Sequence, residues 1–336
     1  MCRESDMATS SFPLPLSGGG VRITGTWANM GAPSTDSVWR KVRGLRHRPP
    51  GAASTTERRA VFGAALEQAE QLFSAAKGVG YASRPLLLFY ALSQAGRAVA
   101  AASRRATNDA WQLESHGIKA DLANIRNLAS ISVQDKGRGS FTQLAPLVGS
   151  GSLAGGVPLG KIWASIPELS SVPLTSAGMP SFPALSYVHH QTASDVPDQE
   201  MRYIIYGWLV GLPARLLRKE SEEKFATFLS NYPTLAGAQE AGTVLNRTVR
   251  RSDGLSFQLS RKWVAQGKES AEELQNRLTV AYLGDDVRYA FPAFDGGKLP
   301  LHPFLAWWAV LYTLSMIARY EPSEWVKVLD IDANPD

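Results

Sequence analysis

Tyr90, Gln94 and Arg97 recur at i, i+4 and i+7 in a stretch that is otherwise apolar, so they form one stripe on a helix. Tyr312, Ser315 and Arg319 form a second stripe of the same kind. His116 follows the first, His302 opens the second stretch and Glu321 closes it. Arginine carries a planar fork of donors that suits phosphate, and a histidine beside it can donate or accept a proton. Arg97, His116 and Arg319 meeting in one cleft would therefore serve a phosphate or a nucleic-acid backbone. They could act as a binding surface or as a metal-independent phosphoryl-processing site such as a nuclease. The competing reading is structural: a polar seam between two central helices, each guanidinium met by a carboxylate, a tyrosine hydroxyl or free carbonyls. Glu321 is the first candidate for such a partner of Arg319.

A second basic group lies in VWRKVRGLRHRPPG, residues 38–51, which holds Arg40, Lys41, Arg43, Arg46 and Arg48. It reads as a short helix or extended segment ended by Pro49 and Pro50. It is either an anion-binding element or a solvated entry to the domain. Other motifs carry less. Gly155 to Lys161 has the spacing of a phosphate-binding loop, but Ile162 stands where a Mg²⁺-holding Ser or Thr is needed, and Pro158 removes one N–H from the cradle. His189 and His190, with Asp195 and Asp198 nearby, cannot easily share one ion, since neighbours on a strand point to opposite faces; a surface loop fits them better. Gly149-Ser150-Gly151-Ser152 is no nucleophile elbow. No metal site and no cofactor is expected.

The elements that would position these residues are mostly helices. A helix over 56–77 carries Phe62, Ala65, Leu66, Ala69, Leu72, Phe73 and Ala76 at helical spacing. Ser54 to Glu57 reads as its capping box, and Gly78 and Gly80 stop it. A helix over 84–106 starts with Pro85 near its first position and is apolar nearly all round, with Arg104 and Arg105 in its last turn. Residues 128–148 read as a hairpin about Asp135 to Gly139, and 149–185 as largely loop. The run 201–219 is helix or strand, its length favouring helix. Helices follow at 222–232 and at 270–283, the latter capped by Ser270. Between them, 243–263 reads as a hairpin turning at Asp253-Gly254. A helix from Pro303, again almost wholly apolar, ends before Pro322, which opens a short last helix.

These elements make an α+β chain, predominantly helical, with central buried helices and one or two β-hairpins. Residues 1–38, rich in Ser, Gly, Thr and Pro, read as a flexible arm and 39–336 as a single domain. Hydrophobic residues are 44% and charged residues 19%, enough for a sizeable core. Cys2 is the only cysteine, which excludes an intramolecular disulfide and a Cys-based zinc cluster. No long apolar run suits a membrane span and no signal core opens the chain, so a cytoplasmic location is expected. The net charge of +5 permits nucleic acid or another polyanion as partner without demanding it.

Arg84-Pro85 followed by LLLFYALSQAGRA, then His116-Gly117-Ile118, resembles the N-terminal signature of the YaaC-like family. His302-Pro303-Phe304 and LYTLSMIARYEPSEW, residues 311–325, resemble its C-terminal one. The resemblance covers about 39–116 and 300–329 and implies a cytoplasmic protein with helical ends. It supplies no catalytic residue. The best expectation is a non-catalytic binding or regulatory protein with an anionic partner.

Overall fold

The computed structural model describes residues 34–169, 172–174, 181–195, 202–213, 222–240, 246–251, 254–282, 287–294, 296 and 298–329. The helical part begins with α1 (Thr35–His47), α2 (Thr56–Lys77) and α3 (Arg84–Ala102). It is completed by the last elements, α8 (Pro303–Tyr320) and α9 (Pro322–Val328). Helical residues outnumber strand residues among those described, so the fold is α+β and mostly helical.

Helix α1 starts inside the expected arm, at Thr35, with the Ser34 side chain accepting the Ser37 N–H as a cap. It buries none of its residues. It lies on α2 through a Trp39–Phe73 ring contact and through Arg43 and Arg46, which pair with Glu67 and Glu70. Helix α2 has the expected bounds, but its capping box does not form. The Ser54 and Thr55 hydroxyls donate backwards, to the Gly51 and Ala52 carbonyls of a preceding 3-10 turn. Helix α3 ends earlier than the composition implies, at Ala102, so Arg104 and Arg105 lie beyond its last turn.

Helices α3 and α8 pack directly on one another. They run in opposite directions, since Phe89 meets Tyr312 while Gly96 meets Trp308. Gly96 allows the approach: a Cβ there would lie 2.5 Å from the ring of the fully buried Trp308. Both helices bury residues on most of their surface, as their all-round apolar sequences require.

Between them in sequence lies a small antiparallel sheet, β1 (Ile118–Ala120), β2 (Ser132–Asp135) and β3 (Val157–Pro158), with β2 central. The hairpin expected over 128–148 is absent. Its second run is α4 (Ser140–Val148), which ends on Gly149 at φ +68°, and β2 pairs with β1 and β3 instead. The Gly155–Lys161 motif contains β3 and the start of α5 (Leu159–Ala164). The strand runs directly into the helix at Leu159, so no strand-to-helix loop lies between them, and the Lys161 ammonium lies 6.0 Å from the Phe182 ring.

The second half carries a seven-stranded antiparallel sheet, larger than the expected hairpins. Its strands are β4 (Leu185–Asp195), β5 (Arg202–Val210), β6 (Gln239–Glu240), β7 (Asn246–Arg251), β8 (Gly254–Val264), β9 (Val280–Ala281) and β10 (Arg288–Ala290). The order is β6-β8-β5-β4-β10-β9, with β7 also on β8. The run at 201–219, expected to favour helix, gives β5 at the centre of this sheet. The face with Ile205 and Leu209 is buried and the face with Ile204, Tyr206 and Val210 is half-buried, so the run is apolar without alternation, which length alone cannot tell from helix. His189 and His190 fall in β4, not in a loop, and Asp198 lies outside the described residues. Helices α6 (Glu222–Leu229) and α7 (Ala271–Leu278) pack on the sheet, α7 with the expected cap at Ser270 and a reciprocal bond from Glu273.

Buried side chains form two clusters. One joins α2, α3, α4, α5 and α8; the other joins the large sheet to α6 and α7. A polar tie crosses between them: the Tyr282 hydroxyl donates to Glu168 at 2.8 Å and accepts from the Trp307 indole at 3.2 Å. Among the described residues no helix is long and apolar enough to cross a membrane.

Candidate functional site

Two loops cross beside α4 and present His116. The chain leaves α3, turns through Ser115 at φ +50° and Gly117 at φ +68°, and enters β1. A non-glycine residue in this left-handed region is uncommon and persists where its surroundings fix it. Those surroundings are the first turn of α4. The Ser140 N–H donates to the Ser115 carbonyl at 3.2 Å and the Phe141 N–H to the His116 carbonyl at 3.0 Å. The Ser140 hydroxyl adds a 2.6 Å bond to the same Ser115 carbonyl. Free N–H groups at a helix start thus hold the loop by its backbone. Gly117 and Gly139 meet backbone to backbone; a Cβ on Gly117 would lie 2.7 Å from the Gly139 carbonyl carbon. The Lys136 N–H closes the crossing on the Gly117 carbonyl at 3.0 Å, which leaves Lys136 and Arg138 exposed beside His116.

The His116 imidazole lies on an aromatic floor. Its ring centroid is 5.5 Å from Phe89 and 5.7 Å from Tyr312, and Phe89 in turn contacts Tyr90 and Tyr312 at 5.5 Å each. His116 is nevertheless exposed at its outer side. The rings beneath it desolvate the imidazole, and the Arg319 guanidinium nearby adds repulsion; both hold its pKa below the usual histidine value. Neither ring nitrogen has a hydrogen-bond partner among the described residues. Arg319 is exposed, lies 5.1 Å over the Tyr320 ring, and has no ion pair among the described residues. The expected pairing with Glu321 does not occur: Glu321 is exposed at the helix end. Burial and the neighbouring Tyr320 hold the Tyr312 phenol above its ordinary pKa.

The structure therefore brings together Tyr90, His116, Tyr312 and Arg319. It does not bring the rest of the expected cluster to them. Gln94 and Arg97 lie one and two turns further along α3, and Arg97 keeps a buried Nε with no partner. Ser315 is buried and donates to the Tyr312 carbonyl at 2.7 Å, a bond within its own helix. His302 is at the opposite end of α8. Its Nδ1 accepts the Phe304 N–H, and its backbone N–H donates to the Ser150 hydroxyl oxygen, which makes that serine a structural tie. Burial lowers the His302 pKa. With Leu92, Tyr282 and Trp307 it lines a separate cavity of about 260 Å³.

On α1, Arg43 and Arg46 are engaged by α2 carboxylates, whereas Arg40, Lys41 and Arg48 are exposed. Among the described residues no group of three or more His, Cys, Asp or Glu could hold a metal ion. Phe89 and Tyr320 had no signal in the spacing of polar residues. Phe89 reads as one more apolar position, and Tyr320 falls off the stripe of Tyr312 and Arg319.

The family model described as YaaC-like Protein matches residues 36–336. No curated protein and no solved structure matches the chain.

Proposed function

We propose that this chain, which belongs to the YaaC-like family, is a non-catalytic binding or regulatory protein that takes an anionic partner on the His116–Arg319 patch. The observation that carries the reading is Arg319: an exposed guanidinium with no ion pair among the described residues, near an exposed imidazole on a loop held by the first turn of α4. A guanidinium left free in this way is available to a phosphate oxygen, which it meets with two parallel bonds. Lys136 and Arg138 add charge at the same edge. The test is retention of the purified chain on immobilised heparin as salt rises. Arg319→Ala should elute at lower salt, while Lys268→Ala, a change on an exposed turn of the sheet half, should not. Equal elution of Arg319→Ala and the parent chain would refute the reading.

A second reading has one specific support. The His116 pKa is held below the ordinary histidine value, and neither ring nitrogen has a partner among the described residues, which leaves it able to accept a proton as a general base for phosphodiester cleavage. Under that reading Arg319 stabilises charge on the phosphate. Cleavage of a bound strand that His116→Gln abolishes without loss of binding would replace the first reading with this one.

A further inference from the structure

We infer that the partner of the patch is a single-stranded nucleic acid, its bases stacking on Tyr90 and Tyr320 and its backbone crossing Arg319 and His116. This rests on the anion-binding reading above and names the partner within it. The balance of groups decides the class. The patch has Arg319, with Lys136 and Arg138 at its edge, and beside these cations the rings of Phe89, Tyr90, Tyr312 and Tyr320. A site for a free phosphate or a purely charged polymer has no use for open rings beside its cations. Burial and Arg319 hold the His116 pKa below the ordinary histidine value, so above about pH 6.5 it offers hydrogen bonds more than charge.

The rings are also divided by exposure. Phe89 is 3% and Tyr312 5% exposed, and these two form the floor. Tyr90 at 39% and Tyr320 at 55% are open, Tyr90 against Phe89 and Tyr320 near Tyr312. Each open ring sits one residue from a member of the patch, Tyr90 after Phe89 and Tyr320 after Arg319, so both are fixed to rigid helices α3 and α8. One open ring adjoins the floor under the imidazole and the other adjoins the guanidinium, so base-stacking and phosphate-binding groups are interleaved in the patch. Such stacking tolerates any sequence, because every base has a π face. A duplex hides those faces inside its stack and would use only the cations.

The test measures binding of the full chain to a fluorescent mixed-sequence single-stranded RNA by anisotropy. The competitors are the same RNA annealed to its complement and inorganic polyphosphate. The single strand should bind tightest. Tyr90→Ala and Tyr320→Ala should each weaken it by about tenfold while leaving polyphosphate binding unchanged. The Tyr→Phe versions should restore it. Arg319→Ala should weaken both ligands. Both tyrosines are exposed, and thermal melting of each variant verifies that it folds as the parent chain does. Equal affinity for single strand and polyphosphate, tightest binding to the duplex, or unchanged affinity in both Tyr→Ala variants would overturn the single-strand inference and leave the anionic reading standing. No binding to any of the three probes would overturn both.

Discussion

Three glycines around the crossing that holds His116 separate backbone conformation from close contact. Gly137 has φ +57° and open space where a Cβ would go. Gly139 has φ −167°, an ordinary extended value, but a Cβ there would lie 2.6 Å from the Gly117 Cα. Gly117 has both problems, φ +68° and the 2.7 Å approach to Gly139. A left-handed Ala costs about 1–2 kcal/mol. Loss of unfolded-chain freedom on Gly→Ala returns about 0.4–1 kcal/mol. Crowding against backbone that cannot yield costs about 1–3 kcal/mol. Gly137→Ala should therefore destabilise by about 1 kcal/mol, Gly139→Ala by about 1–2 kcal/mol and Gly117→Ala by about 2–4 kcal/mol. The assay is urea unfolding followed by circular dichroism, comparing midpoints at constant slope. Equal losses for Gly117→Ala and Gly137→Ala would show that the crossing is not contact-limited. That result would remove the argument that His116 is rigidly placed.

Arg97→Met should leave stability within about 1 kcal/mol of the parent or raise it, because the buried Nε gives up no bond and a straight apolar chain replaces it; a large loss in the same urea assay would mean an acceptor is present. His116 should make stability pH-dependent. Its folded pKa lies below its unfolded value, so the unfolded chain binds more protons between the two, and the contribution present above about pH 6.5 is lost as pH falls through the folded pKa. The urea midpoint of His116→Gln should therefore fall less than the parent's on acidification; parallel curves would contradict the assignment. Arg46 and Glu70 are each about one-fifth exposed and 3.0 Å apart. A double-mutant cycle on them should give a coupling of about 1 kcal/mol that shrinks with salt; zero coupling at low salt would deny the pair a part in holding α1.

The helical ends were legible because their periodicity is long and their stops are chemical. Gly78 closes α2, and Pro85, Pro303 and Pro322 open α3, α8 and α9, in sequence as in structure. The centre was not, for opposite reasons at two places. Residues 201–219 contain a strand with apolar residues on both its buried and its half-buried face, and residues 140–148 contain a helix too short to show a period. Within the patch, Tyr90, His116, Tyr312 and Arg319 were named from stripe spacing and from the His-Gly-Ile segment. A stripe fixes a face but not a depth along the helix. Hence Arg97 shares the face of Tyr90 but lies two turns away, and His302 shares α8 with Arg319 but lies at its other end. That Arg319 would be exposed and unpaired was not legible, since its surroundings are set by the end of α8 and by a loop from residue 116.

The pairing of α3 with α8 also sets the order of events at the ribosome. Residues 103–302 are made after the apolar face of α3 and before the helix that covers it. At about 5–20 residues per second that interval is roughly 10–40 s. Phe89, Leu92 and Gly96 lack Trp308 and Tyr312 for all of it. The large sheet, by contrast, closes on residues 185–290 alone, with its own apolar cluster. The later half of the chain is therefore able to finish first, while the apolar face of α3 waits for α8.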